Sequence, residues 1–124
     1  MLKYEDKLKP NLFMDGPEVL KFTMRVIPLA VEELLKKASL NISDIDFFIF
    51  HQASAVVLNK LQKKLNIPNE KWFLNIEKYG NTVSSTIPIA LNLAEKNGQI
   101  KTNQKILLMG FGVGLSYSGC ILNT

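Results

Sequence analysis

Apolar residues follow two patterns along this chain, and each predicts a type of secondary structure. Apolar residues three or four positions apart predict amphipathic helices. The stretches with this spacing are Glu18 to about Ala38, residues 53–66, and Thr86–Lys96. Short apolar runs bounded by turn residues predict buried strands. These runs are Ile45–Phe50, Trp72–Ile76, Lys105–Met109 and Leu115–Leu122. Helices that alternate with strands in this way predict an α/β domain.

Prolines refine the first part of this prediction. Pro17 suits the first position of a helix, where its missing N–H has no intrahelical partner in any case. Pro28 lies inside the predicted helix, so we expect a kink there, or a short first helix and a second one that begins near Pro28. Residues 1–13 are predicted to be an irregular lead-in, with Leu12-Phe13 as the candidate start of a short strand.

Composition bounds the class of protein. A length of 124 residues fits one domain, and 47% hydrophobic residues supply one core. A single cysteine excludes a disulfide scaffold within the chain and fits a reducing, cytoplasmic compartment. The first residues show no signal-peptide pattern, and no apolar run approaches the ~18 residues of a membrane-spanning helix. We therefore expect no membrane partner.

The net charge of 15 − 11 = +4 is carried mostly by lysines, in scattered pairs such as Lys36-Lys37 and Lys63-Lys64. Nucleic-acid binding usually shows a continuous basic stripe that is rich in arginine, so we expect no nucleic-acid partner. Solvated helix faces explain the pairs. The alternative is long-range attraction of an acidic protein or a phosphorylated thioester.

Polar residues follow two of the predicted strands and precede helices. His51 comes directly after Ile45–Phe50, and Asn81 follows Trp72–Ile76 by way of a turn at Gly80. The carboxyl ends of strands are where open α/β sheets place ligands. Taken singly, His51 could be a structural histidine and Asn81 a turn residue. Similarly, Gly110–Gly114 could be a tight turn or a loop whose backbone N–H groups approach a ligand.

Taken together, these motifs resemble a known family. The segments Phe50-His51-Gln52-Ala53, Gly80-Asn81-Thr82 and Gly110-Phe111-Gly112-Val113-Gly114 occur in the order and at the separations found in the C-terminal half of beta-ketoacyl-acyl-carrier-protein synthase III enzymes. The resemblance begins near Met14. It implies one half of a thiolase-like fold, a three-layer α-β-α unit with a mixed central sheet, in which residues 14–124 form the C-terminal domain and the N-terminal nucleophile domain is absent.

The resemblance also implies a reaction. The family transfers an acyl group from acyl-CoA to a cysteine and then condenses it with malonyl-acyl-carrier protein, with loss of CO2, in fatty-acid biosynthesis. His51 and Asn81 match the residues that stabilise the malonyl enolate, so their side chains are expected to converge. In such a site a neutral imidazole and an amide each offer an N–H donor. The dipole of the predicted helix 53–66 is expected to keep His51 neutral.

Other family positions match less completely. Phe111, Gly112, Val113 and Gly114 match the loop that supplies a backbone donor to the acyl-enzyme oxyanion, although glycine is usual where Val113 stands. Ser54 occupies the position of an asparagine that contacts the pantetheine arm, and Val56 replaces an arginine at the tunnel mouth. These differences leave open a specialised condensing enzyme that acts on CoA thioesters.

Catalysis in the family needs a cysteine nucleophile, which the resemblance places in the missing half. Cys120 is predicted to be a small buried strand residue. The implied partners are acyl-CoA, malonyl-acyl-carrier protein, the N-terminal domain and a second copy in a homodimer, with no cofactor and no metal. A non-catalytic half-domain that binds acyl-CoA or dimerises is the other alternative. A lone half should expose an apolar face, for which the candidates are Leu12, Phe13, Phe111, Val113 and Leu115.

Overall fold

The structure is a computed structural model that describes residues 14–124. The predictions for residues 1–13, including the Leu12-Phe13 strand, therefore lie outside the described residues. Within them the chain forms helices and strands in the following order: α1 (Gly16–Lys37), β1 (Phe47–Phe50), α2 (Ala55–Leu65), α3 (Ile76–Tyr79), α4 (Thr86–Lys96), β2 (Lys105–Gly112) and β3 (Ser116–Asn123). Short 3-10 turns lie at Ile42–Asp44, Asn69–Lys71 and Val83–Ser85.

The sheet is mixed, as predicted. Its strand order is β1-β2-β3, with β1 parallel to β2 and β2 antiparallel to β3. The register pairs Phe50 with Met109 at the end of β1. β2 and β3 form a hairpin in which Gly112 pairs with Ser116. β2 runs three residues beyond its predicted end at Met109, because the pairing continues to this tight connection. β3 begins and ends one residue later than predicted.

Helices cover both faces of β1, which gives the predicted three layers. Phe48 and Phe50 pack in a cluster with residues of α1 and α2, such as Val31 and Leu58. The alternate residues Phe47 and Ile49 pack in a second cluster with Ala90 and Ala94 of α4 and with Ile106. Every residue of β1 is buried because side chains of a strand alternate between two covered faces.

The prediction of a strand at Trp72–Ile76 is wrong. Only a parallel bridge between Phe48 and Trp72 forms, and the backbone N–H of Phe73 donates to the carbonyl of Phe48 at 3.0 Å. β1 continues to Phe50, but the backbone after Phe73 forms no further hydrogen bond with it, so the ladder stops at this bridge. The side chain of Gln52 takes its place, because its Oε1 accepts from the Asn75 N–H at 3.0 Å. The chain then turns into α3.

Pro28 lies within one continuous helix, α1, so the expectation of two separate helices is wrong. A proline in a helix leaves the carbonyl four residues earlier without its N–H donor. That carbonyl belongs to Met24, and it accepts a hydrogen bond from Lys64 Nζ of α2 at 2.6 Å. A lysine of the neighbouring helix therefore supplies the donor that Pro28 lacks.

The helix α4 has the predicted bounds. The helix α2 begins two residues later than predicted because Ser54 caps it: its Oγ accepts from the Val57 N–H at 3.2 Å. None of the helices among residues 14–124 is both long and apolar enough to cross a membrane.

Replacing Lys64 by methionine should lower the free energy of unfolding by about 1 kcal/mol, because the Met24 carbonyl loses a charged donor in exchange for water. Urea denaturation measures this. Lys63→Met, an exposed lysine of the same helix, is the control and should leave stability unchanged. In a Pro28→Ala background the alanine N–H restores the helical bond, so Lys64→Met should then cost less; an equal cost in both backgrounds would refute the coupling.

Gln52→Leu should destabilise the chain by about 2 kcal/mol or more, because buried polar groups lose their partners. The Gln52 side chain is only 1% exposed, and besides Asn75 it contacts the carbonyls of Phe50 at 2.8 Å and Phe73 at 3.4 Å. Thermal unfolding measures the loss of stability, and Gln99→Leu, the same substitution at an exposed position, is the control. Equal stability of the two variants would contradict the role of Gln52.

Candidate active site

His51 directly follows the last residue of β1, at the edge of the sheet where the parallel strands end. Its backbone N–H donates to the carbonyl of Met109 at 2.8 Å and so continues the pairing of β1 with β2. The imidazole is half-buried and meets the ring of Phe111 edge to face, with centroids 5.5 Å apart and an interplanar angle of 77°. The sheet therefore fixes the backbone of His51, and Phe111 of β2 packs against its ring.

The other contact of the imidazole comes from α4. Nδ1 of His51 lies 2.6 Å from Oγ1 of Thr86, the first residue of that helix. Thr86 is buried, and its Oγ1 also lies 3.1 Å from the carbonyl oxygen of Val83. A hydrogen bond on one ring nitrogen and an aromatic ring against the imidazole leave few orientations open to His51.

Burial lowers the pKa of His51 below its ordinary value, so the ring is neutral at pH 7. The predicted direction is confirmed, but the predicted cause is wrong. The helix α2 begins at Ala55 with Ser54 as its cap, so His51 precedes the first turn, and dipole effects fall off within that turn. Removal of the ring from water is the cause that the structure supports.

Asn81 lies in the turn after α3 and is held at both ends of its amide. Oδ1 accepts from the Val83 N–H at 2.9 Å, which fixes which amide atom is oxygen. Nδ2 donates to the carbonyl of Ala53 at 3.3 Å. This bond ties Asn81 to the segment that follows His51. An amide nitrogen carries two protons, so one N–H of the exposed Asn81 remains for a ligand.

The loop between β2 and β3 contains the glycine-rich motif. Gly112 has φ 155° and Gly114 has φ 138°, conformations that glycine adopts readily and other residues avoid. Between them Val113 is 90% exposed, and its carbonyl accepts from Ser116 Oγ at 2.7 Å. Leu115 is also exposed, as expected of the apolar face. Phe111 is not: it is buried because its ring packs on His51 and in the core with α1 and α2.

Ser54, Val56 and Cys120 complete the set of residues singled out from the sequence. The structure assigns Ser54 a role as the cap of α2, and Val56 is exposed on the first turn of that helix. Cys120 is exposed, so the prediction of a buried residue is wrong. It lies in the middle of β3 opposite Leu108, on an outer strand that the helices of the described residues leave largely uncovered.

Sequence reasoning missed Thr86 and Gln52. Thr86 opens the predicted helix α4, so its position was visible, but nothing in the sequence indicated that it faces His51. Gln52 is part of the sequence motif around His51, but nothing in the sequence indicated that its side chain would hydrogen-bond to Asn75. Among residues 14–124, no cluster of three or more potential metal ligands occurs.

Fold and site together define a class. Three features occur at one end of the mixed sheet of this three-layered domain. A histidine follows one strand, and an asparagine amide bonds to the segment beyond that histidine. The phenylalanine of a glycine-rich hairpin packs on the imidazole. This fold is that of a thiolase-like domain. The chain belongs to the family described as 3-Oxoacyl-[acyl-carrier-protein (ACP)] synthase III C terminal, whose sequence profile matches residues 35–124.

Similar proteins agree with this family. The chain is 37% identical over 120 residues to the beta-ketoacyl-[acyl-carrier-protein] synthase III of Clostridium tetani, covering 97% of this chain and 36% of that protein. It superposes on the corresponding crystal structure from Thermus thermophilus with a TM-score of 0.89 and 37% identity, over 94% of this chain and 36% of the other. For Aquifex aeolicus the TM-score is 0.86 with 40% identity, over 90% and 36%. The chain thus spans about a third of the length of these relatives.

His51 should titrate below pH 6.5 in the folded chain, because burial disfavours the imidazolium. The unfolded chain takes up its proton first as the pH falls. The stability contribution of the neutral ring is therefore full above about 6.5 and is lost as the pH falls through the lower folded pKa. The chain has one histidine, so its NMR ring resonances report this group alone. A midpoint in the folded chain at or above that in concentrated urea would contradict the prediction.

Proposed function

We propose that this chain is the catalytic C-terminal half-site of a 3-oxoacyl-[acyl-carrier-protein] synthase III. The reaction is the decarboxylative condensation of an acyl-CoA primer with malonyl-acyl-carrier protein. The observation that carries this proposal is the link between Asn81 and the segment beyond His51, through Nδ2 and the Ala53 carbonyl at 3.3 Å. This link supports a site at one end of the sheet to which His51 and Asn81 each contribute an uncharged N–H donor.

In this proposal His51 and Asn81 stabilise the enolate that forms when malonyl thioester loses CO2. The charge develops on the thioester oxygen, and fixed neutral donors stabilise it without needing a counter-charge. Burial keeps His51 neutral, and two hydrogen bonds hold the Asn81 amide. Neither side chain needs to reorganise when the negative charge appears.

The hairpin loop supplies the second oxyanion donor in this scheme. Gly112 and Gly114 allow the turn, and the N–H of Val113 or Gly114 is offered to the acyl-enzyme oxygen. Ser54 still has its hydroxyl proton to donate to a pantetheine arm while its oxygen caps α2. Val113 and Leu115 are exposed in this loop, which suits a surface that the N-terminal domain covers.

The cysteine nucleophile belongs to that N-terminal domain. Cys120, the single cysteine of this chain, lies on β3 in the middle of a strand rather than at a helix N-terminus. The chain alone should therefore form no acyl-enzyme. A homodimer of the complete protein in the cytoplasm is part of the same proposal, and CoA and carrier-protein thioesters are its substrates.

A chimera tests the function directly. This chain replaces the matching C-terminal third of the Aquifex aeolicus synthase, and the chimera is assayed with acetyl-CoA and malonyl-acyl-carrier protein. We expect condensation by the chimera and none by the 124 residues alone. A folded chimera that forms the acyl-enzyme but makes no ketoacyl product would overturn the proposal, as would turnover by the isolated chain.

In that chimera, His51→Ala and Asn81→Ala should each lower kcat by about 10²- to 10³-fold, the loss typical of one oxyanion donor. The matched control is Asn97→Ala, because Asn97 lies at the C-terminal end of α4, opposite to the end that contacts His51. Asn97→Ala should leave kcat within about twofold, a change of under 0.5 kcal/mol in the barrier. Similar kcat values for all three variants would contradict the assigned roles.

A further inference from the structure

Thr86 lies at the site but has no part in the chemistry proposed so far. It is 3% exposed, and its Oγ1 lies 2.6 Å from Nδ1 of His51 and 3.1 Å from the carbonyl oxygen of Val83. A threonine hydroxyl carries one proton, so it can donate to only one of these two acceptors. The direction of that one hydrogen bond determines which ring nitrogen of His51 carries the proton.

Two arrangements are possible for the neutral ring. If Thr86 donates to Val83, His51 must donate from Nδ1, and Nε2 is then a bare acceptor. If Thr86 donates to Nδ1, the ring proton lies on Nε2, which becomes a donor. Only the second arrangement lets Nε2 stabilise an oxyanion. In this respect the inference rests on the proposed function.

We propose that Thr86 is a positioning residue that donates its proton to Nδ1 of His51 and thereby holds the ring as the Nε2–H tautomer. The shorter of its two contacts is the one to Nδ1. Val83 lies in a largely exposed turn, so water can satisfy its carbonyl. Nδ1 is different: no other polar side chain in the described part of the chain hydrogen-bonds to the ring.

The tautomer can be read from the chain itself. It contains one histidine, so 15N NMR of the imidazole at a pH of about 8, above the ordinary histidine pKa, gives one pair of ring signals. We expect Nε2 at the position of a protonated nitrogen and Nδ1 at that of an unprotonated one. A protonated Nδ1 in the unmodified chain would overturn the proposal without any variant.

Two substitutions separate the hydroxyl from the methyl group of Thr86. Thr86→Val keeps the shape but loses the donor, and both ring signals should move toward the averaged positions of an imidazole that exchanges between tautomers. Thr86→Ser keeps the donor and should retain the original signals. Thr23→Val is the control, because Thr23 is equally buried but donates to Val19 within α1. Unchanged ring signals in Thr86→Val would refute the role of Thr86.

Turnover of the chimera gives a second readout. Thr86→Val should lower kcat by about 10- to 100-fold, with KM unchanged and with recovery in Thr86→Ser, because a misoriented donor affects the transition state more than binding. A chimera without activity would remove the proposed function but leave the NMR result standing. If the Thr86→Val chimera kept a normal kcat and its His51 ring remained protonated at Nε2, the positioning role of Thr86 would be refuted instead.

Discussion

The parallel pairing of β1 with β2 is the interaction on which the rest of the structure depends. Because β1 is buried on both faces, it divides the core into one cluster with α1 and α2 and another with α4. The pairing continues past Phe50 through the backbone N–H of His51. The position of the imidazole is thus set by the sheet, and the hydrogen bonds of its ring and of Asn81 depend on that position.

Side chains replace backbone pairing at two places where the regular structure is interrupted. Lys64 donates to the Met24 carbonyl that Pro28 leaves without a helical donor, and Gln52 bonds the Asn75 N–H where no strand continues beside it. Both solutions follow from the cost of leaving a backbone polar group without a partner. The second has a consequence for the site, since Gln52 holds the segment that leads through α3 to Asn81.

Three contacts orient His51, and each of them restricts a different degree of freedom of this residue. The sheet fixes the backbone of His51, Phe111 limits the tilt of the imidazole, and Thr86 bonds one of its nitrogens. Asn81 is held by the backbone of its own turn and by Ala53. Preorganised neutral donors of this kind suit the proposed reaction, in which negative charge appears on a thioester oxygen.

The sequence alone was sufficient for the elements whose pattern is local. The bounds of α4, the α/β class, and the motifs around His51, Asn81 and the glycine hairpin all follow from spacing and residue type, whereas the mixed sheet follows from the resemblance to the family. The sequence failed where a partner distant along the chain decides the outcome. Trp72–Ile76 has strand-like residues but pairs with β1 through one bridge only, because the Gln52 side chain accepts from the Asn75 N–H. Cys120 has the sequence context of a buried residue but lies on an outer strand. Phe111 was expected on an exposed face and is buried against His51. The contact between Thr86 and His51 joins residues 35 positions apart, so only the tertiary structure could place that hydroxyl at the imidazole.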